Sequence, residues 1–398
     1  MILTKKQEEG LKIAVARYKN NEPYTCIAGY AGSGKSTLVT FIIAALGVDP
    51  HEDVAYVAFT GKAATVLAQK GCPNAITAHK LLYDACQQPD GSYIFIPKEE
   101  LDKDFKVIVV DEVSMLPIGM WKQLLSHHVY VLALGDPFQL PPILKNDDNR
   151  VLEHPHVFLD EIMRQAQESE IIRFSMHIRE GKSVSNYQAD NKEVMILSPK
   201  NLYKDVYLWA DQVLCATNEK RTEVNALFRE YKGFGAEPEI GDKIIGLHNR
   251  WEFCSRDGRD MPLTNGTIGT ITSFRKKSIW LPRYVSSFPY LYMYTNMDAE
   301  DGSIFKNIPI DYLCLKEGKR TLTEKQLMMM KRSKRFPYGP PYDFAYAYAI
   351  TYWKAQGSQW DKVLALEEGH PFDRETHLKA IYTAITRASK KLVWVTRW

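Results

Sequence analysis

The segment Gly29-Tyr30-Ala31-Gly32-Ser33-Gly34-Lys35-Ser36 spaces its glycines ahead of a lysine and a hydroxyl in the pattern of a phosphate-binding loop. Glycine lets successive backbone N–H groups turn inward around phosphate oxygens, and a helix N-terminus behind them adds partial positive charge. In that arrangement Lys35 reaches the β- and γ-phosphates and Ser36 offers its hydroxyl to Mg²⁺, while Gly29, Ala31, Gly32, Ser33, Gly34 and Thr37 complete the cradle. Further along, the apolar run Val107–Val110 ends in Asp111-Glu112. Asp111 suits Mg²⁺, through water, and Glu112 is placed to orient and deprotonate an attacking water. Gln139 follows another apolar run. Its amide can donate to a γ-phosphate oxygen and accept from the same water, which suits a sensor of the γ-phosphate. Together these residues imply binding and hydrolysis of a nucleoside triphosphate.

Such residues need a scaffold that brings them to one edge. Four β-branched, apolar runs follow one another at Tyr24–Ala28, Val54–Phe59, Val107–Val110 and Val129–Leu134, with helical segments such as Thr37–Leu46 between most of them. The spacing predicts parallel strands joined by crossovers, an α/β sheet whose ligands bind at the carboxyl ends of its strands. A second sheet is predicted from Val213–Ala216, Val363–Leu366 and Leu392–Thr396. Asn218, after the first of these, reads either as a turn or cap residue or as a nucleic-acid contact. Between the halves, Thr267–Phe274, Tyr290–Tyr294 and Ile304–Leu315 read as short β-strands. The run Lys316–Arg335 reads as a basic, partly helical excursion that is either a solvated face or a strand contact. Asp90-Gly91, with Tyr93 and Phe95 in the following arm, predicts a tight hairpin, for packing or for strand separation.

Composition bounds the class. The 398 residues suffice for more than one core. The net charge of +3 is too small to prove a polyanionic partner, so any nucleic-acid groove must come from local clustering. The cysteines at 26, 72, 86, 215, 254 and 314 form no CxxC pair, which favours reduced, buried thiols over a zinc site. No apolar stretch approaches a membrane span, and Met1-Ile2-Leu3-Thr4-Lys5-Lys6 shows no signal-peptide core, so a cytoplasmic protein is expected.

In order, the motifs resemble those of superfamily 1B DNA helicases, the branch of RecD and the phage helicase Dda. Gln7 looks like the family's adenine-reading glutamine. The phosphate loop is followed by Ala58-Phe59-Thr60-Gly61-Lys62-Ala63-Ala64, similar to motif Ia, and Thr77-Ala78-His79, similar to motif Ib. Asp111-Glu112 resembles motif II, Gly135-Asp136-Pro137-Phe138-Gln139-Leu140-Pro141-Pro142 motif III, and Leu159–Gln165 motif IV. Thr351–Gln359 is similar to motif V and Tyr382–Ala388 to motif VI. Trp353 departs from the pattern, standing where many members carry histidine.

The resemblance implies an ATP-dependent helicase that moves 5′→3′ on single-stranded DNA and opens forked duplex. It implies Mg²⁺ as the metal, a monomer, and single-strand-binding or replication proteins as further partners. Two RecA-like P-loop NTPase domains with parallel sheets are expected, the first at 1–82 and 101–165, interrupted by a β-hairpin pin at 83–100. The second spans 166–262 and 343–398, around an SH3-like β-barrel insertion at 263–342. Arg164 and Arg387 are the expected neutralisers of the γ-phosphate from the far side of the cleft, with Gln356 and Gly357 also facing nucleotide. Thr60, Lys62, Thr77, His79, Pro141, Asn218 and Thr351 are expected along the strand, with Phe138 or Trp353 stacking on bases. The rivals are an RNA-directed helicase of the same superfamily and an ATP-gated clamp or loader that does not unwind.

Overall fold

A computed structural model of the chain describes residues 3–87, 93–141, 149–190, 192–258, 261–281, 286, 288–318, 322–331, 340–369 and 373–397. Contacts divide it into two compact units, Met1–Leu82 with Pro97–Asn218 and Ile350–Trp398, and Tyr83–Ile96 with Glu219–Ala349.

The first unit contains both predicted parallel sheets. In the six-stranded one the order is Ala75–Thr77, Val54–Ala58, Val107–Val110, Tyr130–Gly135, Tyr24–Gly29, Val157–Leu159. Every adjacent pair in it is parallel. Its inner strands are buried on both faces, which is why they read as unbroken apolar runs rather than as alternation. Helix Lys35–Leu46 presses Leu38, Val39, Ile42 and Ile43 onto Ile27, Val107, Val109, Leu132 and Leu134. Each of these side chains is buried, so truncating Ile42 to Ala would cost roughly 2–5 kcal/mol. Two strands at the sheet edges, Ala75–Thr77 and Val157–Leu159, were too short to stand out in the sequence.

The second sheet is five-stranded, in the order Ala349–Thr351, Gln212–Cys215, Trp360–Leu366, Ala388–Val395, Val194–Leu197. From Gln212–Cys215 to the edge strand Val194–Leu197 every adjacent pair is parallel. Helix Arg374–Ile385 feeds its strand Ala388–Val395. Trp394 is fully buried against Phe174, and its indole N–H donates to Glu367 Oε2 at 3.0 Å, so no polar atom of the ring is stranded.

The other unit is built on a five-stranded antiparallel sheet, Ile304–Asp311, Tyr290–Ala299, Ile268–Ile279, Lys243–Gly246 and Phe344–Tyr346. It thus takes in strands on both flanks of the segment 263–342. The predicted strand Ile304–Leu315 stops at Asp311, whose carboxylate accepts the Cys314 N–H and caps a short helix, Tyr312–Glu317. Within the basic excursion, helix Glu324–Lys331 buries Met330, which with Leu322 packs on Ile279, Leu281, Tyr290 and Tyr292. That part of the excursion is a packed layer, not a wholly solvated face. Strands Tyr83–Gln87 and Tyr93–Pro97 pair with one another, as hairpin arms must; Asp90 and Gly91 lie outside the described residues.

The cysteines described are free thiols, and burial pushes that of Cys26 up to about 12. Among the described residues no helix is long and apolar enough to cross a membrane.

Candidate active site

The carboxyl ends of the first sheet's strands open on a cavity of about 280 Å³. Ala31, Gly32, Lys35 and Ser36 line it from the phosphate loop, Asp111 and Glu112 from the strand Val107–Val110, and Asp136 and Gln139 from the loop after Tyr130–Gly135. Gln356, Gly357 and Arg387, from the second half of the chain, close its other side. Residues from opposite ends of the sequence thus share one cavity of the first unit.

Backbone geometry at the loop follows from its glycines. Gly32 and Gly34 have φ of +77° and +79°, left-handed values that disfavour any side chain. At Gly34 a Cβ would also fall 2.5 Å from Gln7 Nε2. Helix Lys35–Leu46 starts there, with Thr37 in its first turn. The Lys35 ammonium donates to the carbonyls of Gly29 and Tyr30, at 2.6 and 3.1 Å.

Gln7 does not face this cavity. The sequence pattern Thr4-x-x-Gln7 forms a capping box at helix Lys5–Lys19: Thr4 N–H donates to Gln7 Oε1 at 3.0 Å, and Gln7 N–H to Thr4 Oγ1 at 3.3 Å. The amide nitrogen donates to Ser33 and Gly34 carbonyls, and the residue is buried. In this arrangement Gln7 supports the loop.

Glu112 sits at φ +50°, an uncommon conformation for a residue with a long side chain. Burial and the neighbouring Asp111 and Asp136 hold its carboxyl above the usual range, against the opposing pull of Arg387 and Lys35. Burial is the largest of these causes. Arg387 is buried and lies 3.7 Å from Glu112 Oε1, a charge contact rather than a hydrogen bond. Its fork is held by Thr383 O, Ser358 O and Thr386 Oγ1, at 3.1, 3.3 and 3.1 Å. Gln356 is buried and donates to Leu140 O at 2.7 Å, so it fixes the loop that carries Gln139. Gly357, at φ +72°, passes Glu112 so closely that a Cβ would lie 3.4 Å from Oε2.

Arg164 begins a short helix, Arg164–Gln167, whose preceding residue Met163 donates its N–H to Gly32 O at 3.0 Å. Its backbone therefore follows the first sheet, on the side of the phosphate loop, and Arg387 alone of the two predicted arginines comes from the second sheet. The Arg164 side chain lies outside the described residues.

The residues expected along a nucleic-acid strand divide. Thr60 lines the same cavity, and its hydroxyl accepts the Ala63 N–H to cap helix Gly61–Gln69. The Lys62 ammonium stands 4.1 Å over the buried ring of Trp360. Thr77 and Thr351 are buried and accept the N–H groups of Lys80 and Lys354, at 3.2 and 3.3 Å. Each of these hydroxyls keeps its own proton for another acceptor. His79 packs on Phe59, and burial lowers its pKa, so it is neutral at pH 7. Phe138 is half-buried, edge-on to Tyr382. Pro141 is exposed, Trp353 half-buried, and Asn218 opens helix Asn218–Tyr231. In the hairpin, Phe95 meets Tyr83 edge-on at 6.5 Å and is partly exposed beside exposed Ile94 and Ile96; the Tyr93 side chain lies outside the described residues.

Residues 3–197 match the AAA domain family, and residues 346–395 match the UvrD-like helicase C-terminal domain family. The chain is 31% identical over 387 residues to the ATP-dependent RecD2 DNA helicase of Deinococcus radiodurans, covering 91% of this chain and 45% of that protein. To the ATP-dependent DNA helicase Dda of Enterobacteria phage T4 it is 24% identical over 280 residues, covering 65% of this chain and 64% of that one. It thus spans less than two thirds of these curated relatives' lengths. Among solved structures, a Pif1 helicase described at forked double-stranded DNA aligns over 100% of this chain and 92% of its own, with a TM-score of 0.54 at 18% identity. A Bacteroides Pif1 helicase in complex with ADP-AlF3 and single-stranded DNA aligns with a TM-score of 0.53 at 15% identity, over 100% of this chain and 93% of its own. The shared fold is the RecA-like α/β helicase fold with parallel sheets.

Proposed function

We propose that this chain, which belongs to the superfamily 1B helicases of the RecD, Dda and Pif1 kind, hydrolyses ATP to move 5′→3′ on single-stranded DNA and to open duplex at a fork. One observation carries the reading. Lys35 from the first sheet and Arg387 from the second half of the chain meet in a single cavity around Glu112. A γ-phosphate there would be neutralised from both sides, and its loss on hydrolysis would remove the charge that draws the two sides together.

Each residue has a part in this scheme. The amide of Gly32 and the Lys35 ammonium hold the phosphates, with Lys35 exchanging its two carbonyl partners for phosphate oxygens. Glu112 accepts the proton of the attacking water, and Gln139 orients that water. Ser36 and Asp111 fit Mg²⁺: a hydroxyl and one carboxylate on the same wall are the sparse protein set that Mg²⁺ takes when phosphates and water supply the rest. When bound, the metal neutralises β- and γ-oxygens. Arg387 supplies the cross-cleft guanidinium, and Arg164 a second one from the phosphate-loop side.

For the strand, Thr77, Thr351 and Asn218 donate to phosphates, His79 as a neutral imidazole, and Phe138 and Trp353 present rings to bases. The hairpin at 83–100 acts as the pin, and the antiparallel sheet of the second unit as an SH3-like insertion. The two ring-bearing arms and this sheet fall in one compact unit, which supports a pin held by the insertion. Comparing ATPase stimulation by DNA and RNA homopolymers, followed by strand displacement, tests the proposal. DNA-stimulated turnover with displacement is expected; stimulation without displacement would make the protein a clamp, and stimulation by RNA alone would change its substrate.

A further inference from the structure

In the sequence Tyr382 is only the first residue of the run Tyr382–Ala388, yet its hydroxyl joins two walls of the cavity. It accepts the Ala31 N–H at 2.8 Å and donates to Asp136 Oδ2 at 2.7 Å. A phenol has one proton, so both directions are fixed: acceptor toward the phosphate loop, donor toward the carboxylate. The other oxygen of Asp136 accepts the Phe138 N–H at 3.0 Å, and the rings of Phe138 and Tyr382 meet edge-on at 5.2 Å. The next residue, Thr383, accepts the Leu140 N–H at 2.9 Å. Gln139 thus lies between two residues, Phe138 and Leu140, that are each held by helix Arg374–Ile385. The same helix is followed at once by Arg387. Tyr382, Asp136 and Thr383 are all buried.

We infer that Tyr382 is a positioning residue: its hydroxyl registers Gln139 and Arg387 against the Ala31 edge of the phosphate loop and, through Phe138, ties that register to the bound strand. The inference rests on the proposed ATP-driven reading of this cavity and deepens it. Removing the hydroxyl leaves the ring packing intact but strands the half-buried Ala31 amide and the buried Asp136 carboxylate, which then settle elsewhere. Misplacement of about 1 Å costs on the order of 10²-fold in rate. Tight nucleotide binding depends on Lys35 and the other loop amides, which Tyr382 does not touch.

The test is Tyr382→Phe in the full chain, assayed for ATPase with and without oligo(dT), alongside a thermal melt. The expected result is a fall in kcat of roughly 10- to 100-fold, with KM for ATP nearly unchanged and a smaller ratio of oligo(dT)-stimulated to basal rate. A folded variant with parental kcat and parental stimulation ratio, or one that changes only KM, overturns the inference. Should Tyr382→Phe not fold, Thr383→Val, which frees Leu140 from the same helix, is expected to give the same kcat loss, and parental kcat there overturns it. A parent protein whose ATPase ignores oligo(dT) would count against the helicase reading, while the basal kcat and KM of the variant would still decide the role of Tyr382.

Discussion

At the scale of single residues, the surroundings of Glu112 make opposite demands on stability and on the proposed activity. Burial and two neighbouring carboxylates raise its pKa, so its ionised form is disfavoured in the folded state. For an acid with a raised folded pKa, ionisation destabilises the fold above the ordinary carboxyl pKa, and protonation at lower pH relieves it. Glu112→Gln is therefore expected to melt no lower than the parent at pH 7 while losing nearly all turnover and retaining ATP. A lower melting temperature would show that the Arg387 contact outweighs burial. The ATPase rate of the parent should fall, as pH is lowered, at a pH above the ordinary carboxyl range; a pH–rate profile checks this. Lys35→Ala is expected to abolish turnover and leave single-strand binding largely intact. Arg387→Ala should lower kcat by about 10³–10⁵-fold, the worth of an arginine finger, per folded molecule. A parental specific activity would reduce Arg387 to a structural partner of Thr383 and Ser358.

Elements decide which of the expected residues can do their work. Helix Gly61–Gln69 starts at a Thr60 cap and turns Lys62 onto Trp360. Lys62→Met is therefore expected to leave the salt dependence of single-strand binding unchanged. A slope smaller by about 0.7, one neutralised phosphate on a single strand, would return Lys62 to the groove. The paired strands Tyr83–Gln87 and Tyr93–Pro97 expose Ile94, Phe95 and Ile96 on a short, two-stranded element. Replacing Tyr93 and Phe95 together by Ala is expected to lower base pairs opened per ATP on a forked substrate and to spare DNA-stimulated ATPase. An unchanged ratio would make the hairpin a packing element. These elements also mark how far the sequence could be read. The phosphate loop and the Asp111-Glu112 strand were legible because phosphate and metal chemistry fixes residue types at short spacing, and unbroken apolar runs announce buried parallel strands. The capping box was equally spelled out, in the spacing Thr4-x-x-Gln7. Tyr382 was not legible: its partners Ala31 and Asp136 lie 351 and 246 residues away, and no local pattern encodes such a meeting. The same holds for Lys62 and Trp360.

For the whole molecule, the chain builds two sheets of parallel strands whose strand-end residues meet in one cavity, and a separate antiparallel unit; the residues that line that cavity belong to the first unit. A motor follows if closure of that cavity by ATP and its release after hydrolysis shift the two sheets along a bound strand. Direction of travel is then a property of the whole assembly, to which no single residue above is sufficient. The most direct measurement is ATP-dependent strand displacement on two duplexes identical except for a 5′ or a 3′ single-stranded DNA tail, with Glu112→Gln as the stalled control. Displacement of the 5′-tailed duplex alone, absent in the control, is the predicted result. Displacement of the 3′-tailed duplex alone, or of neither despite DNA-stimulated ATP hydrolysis, would contradict a 5′→3′ helicase.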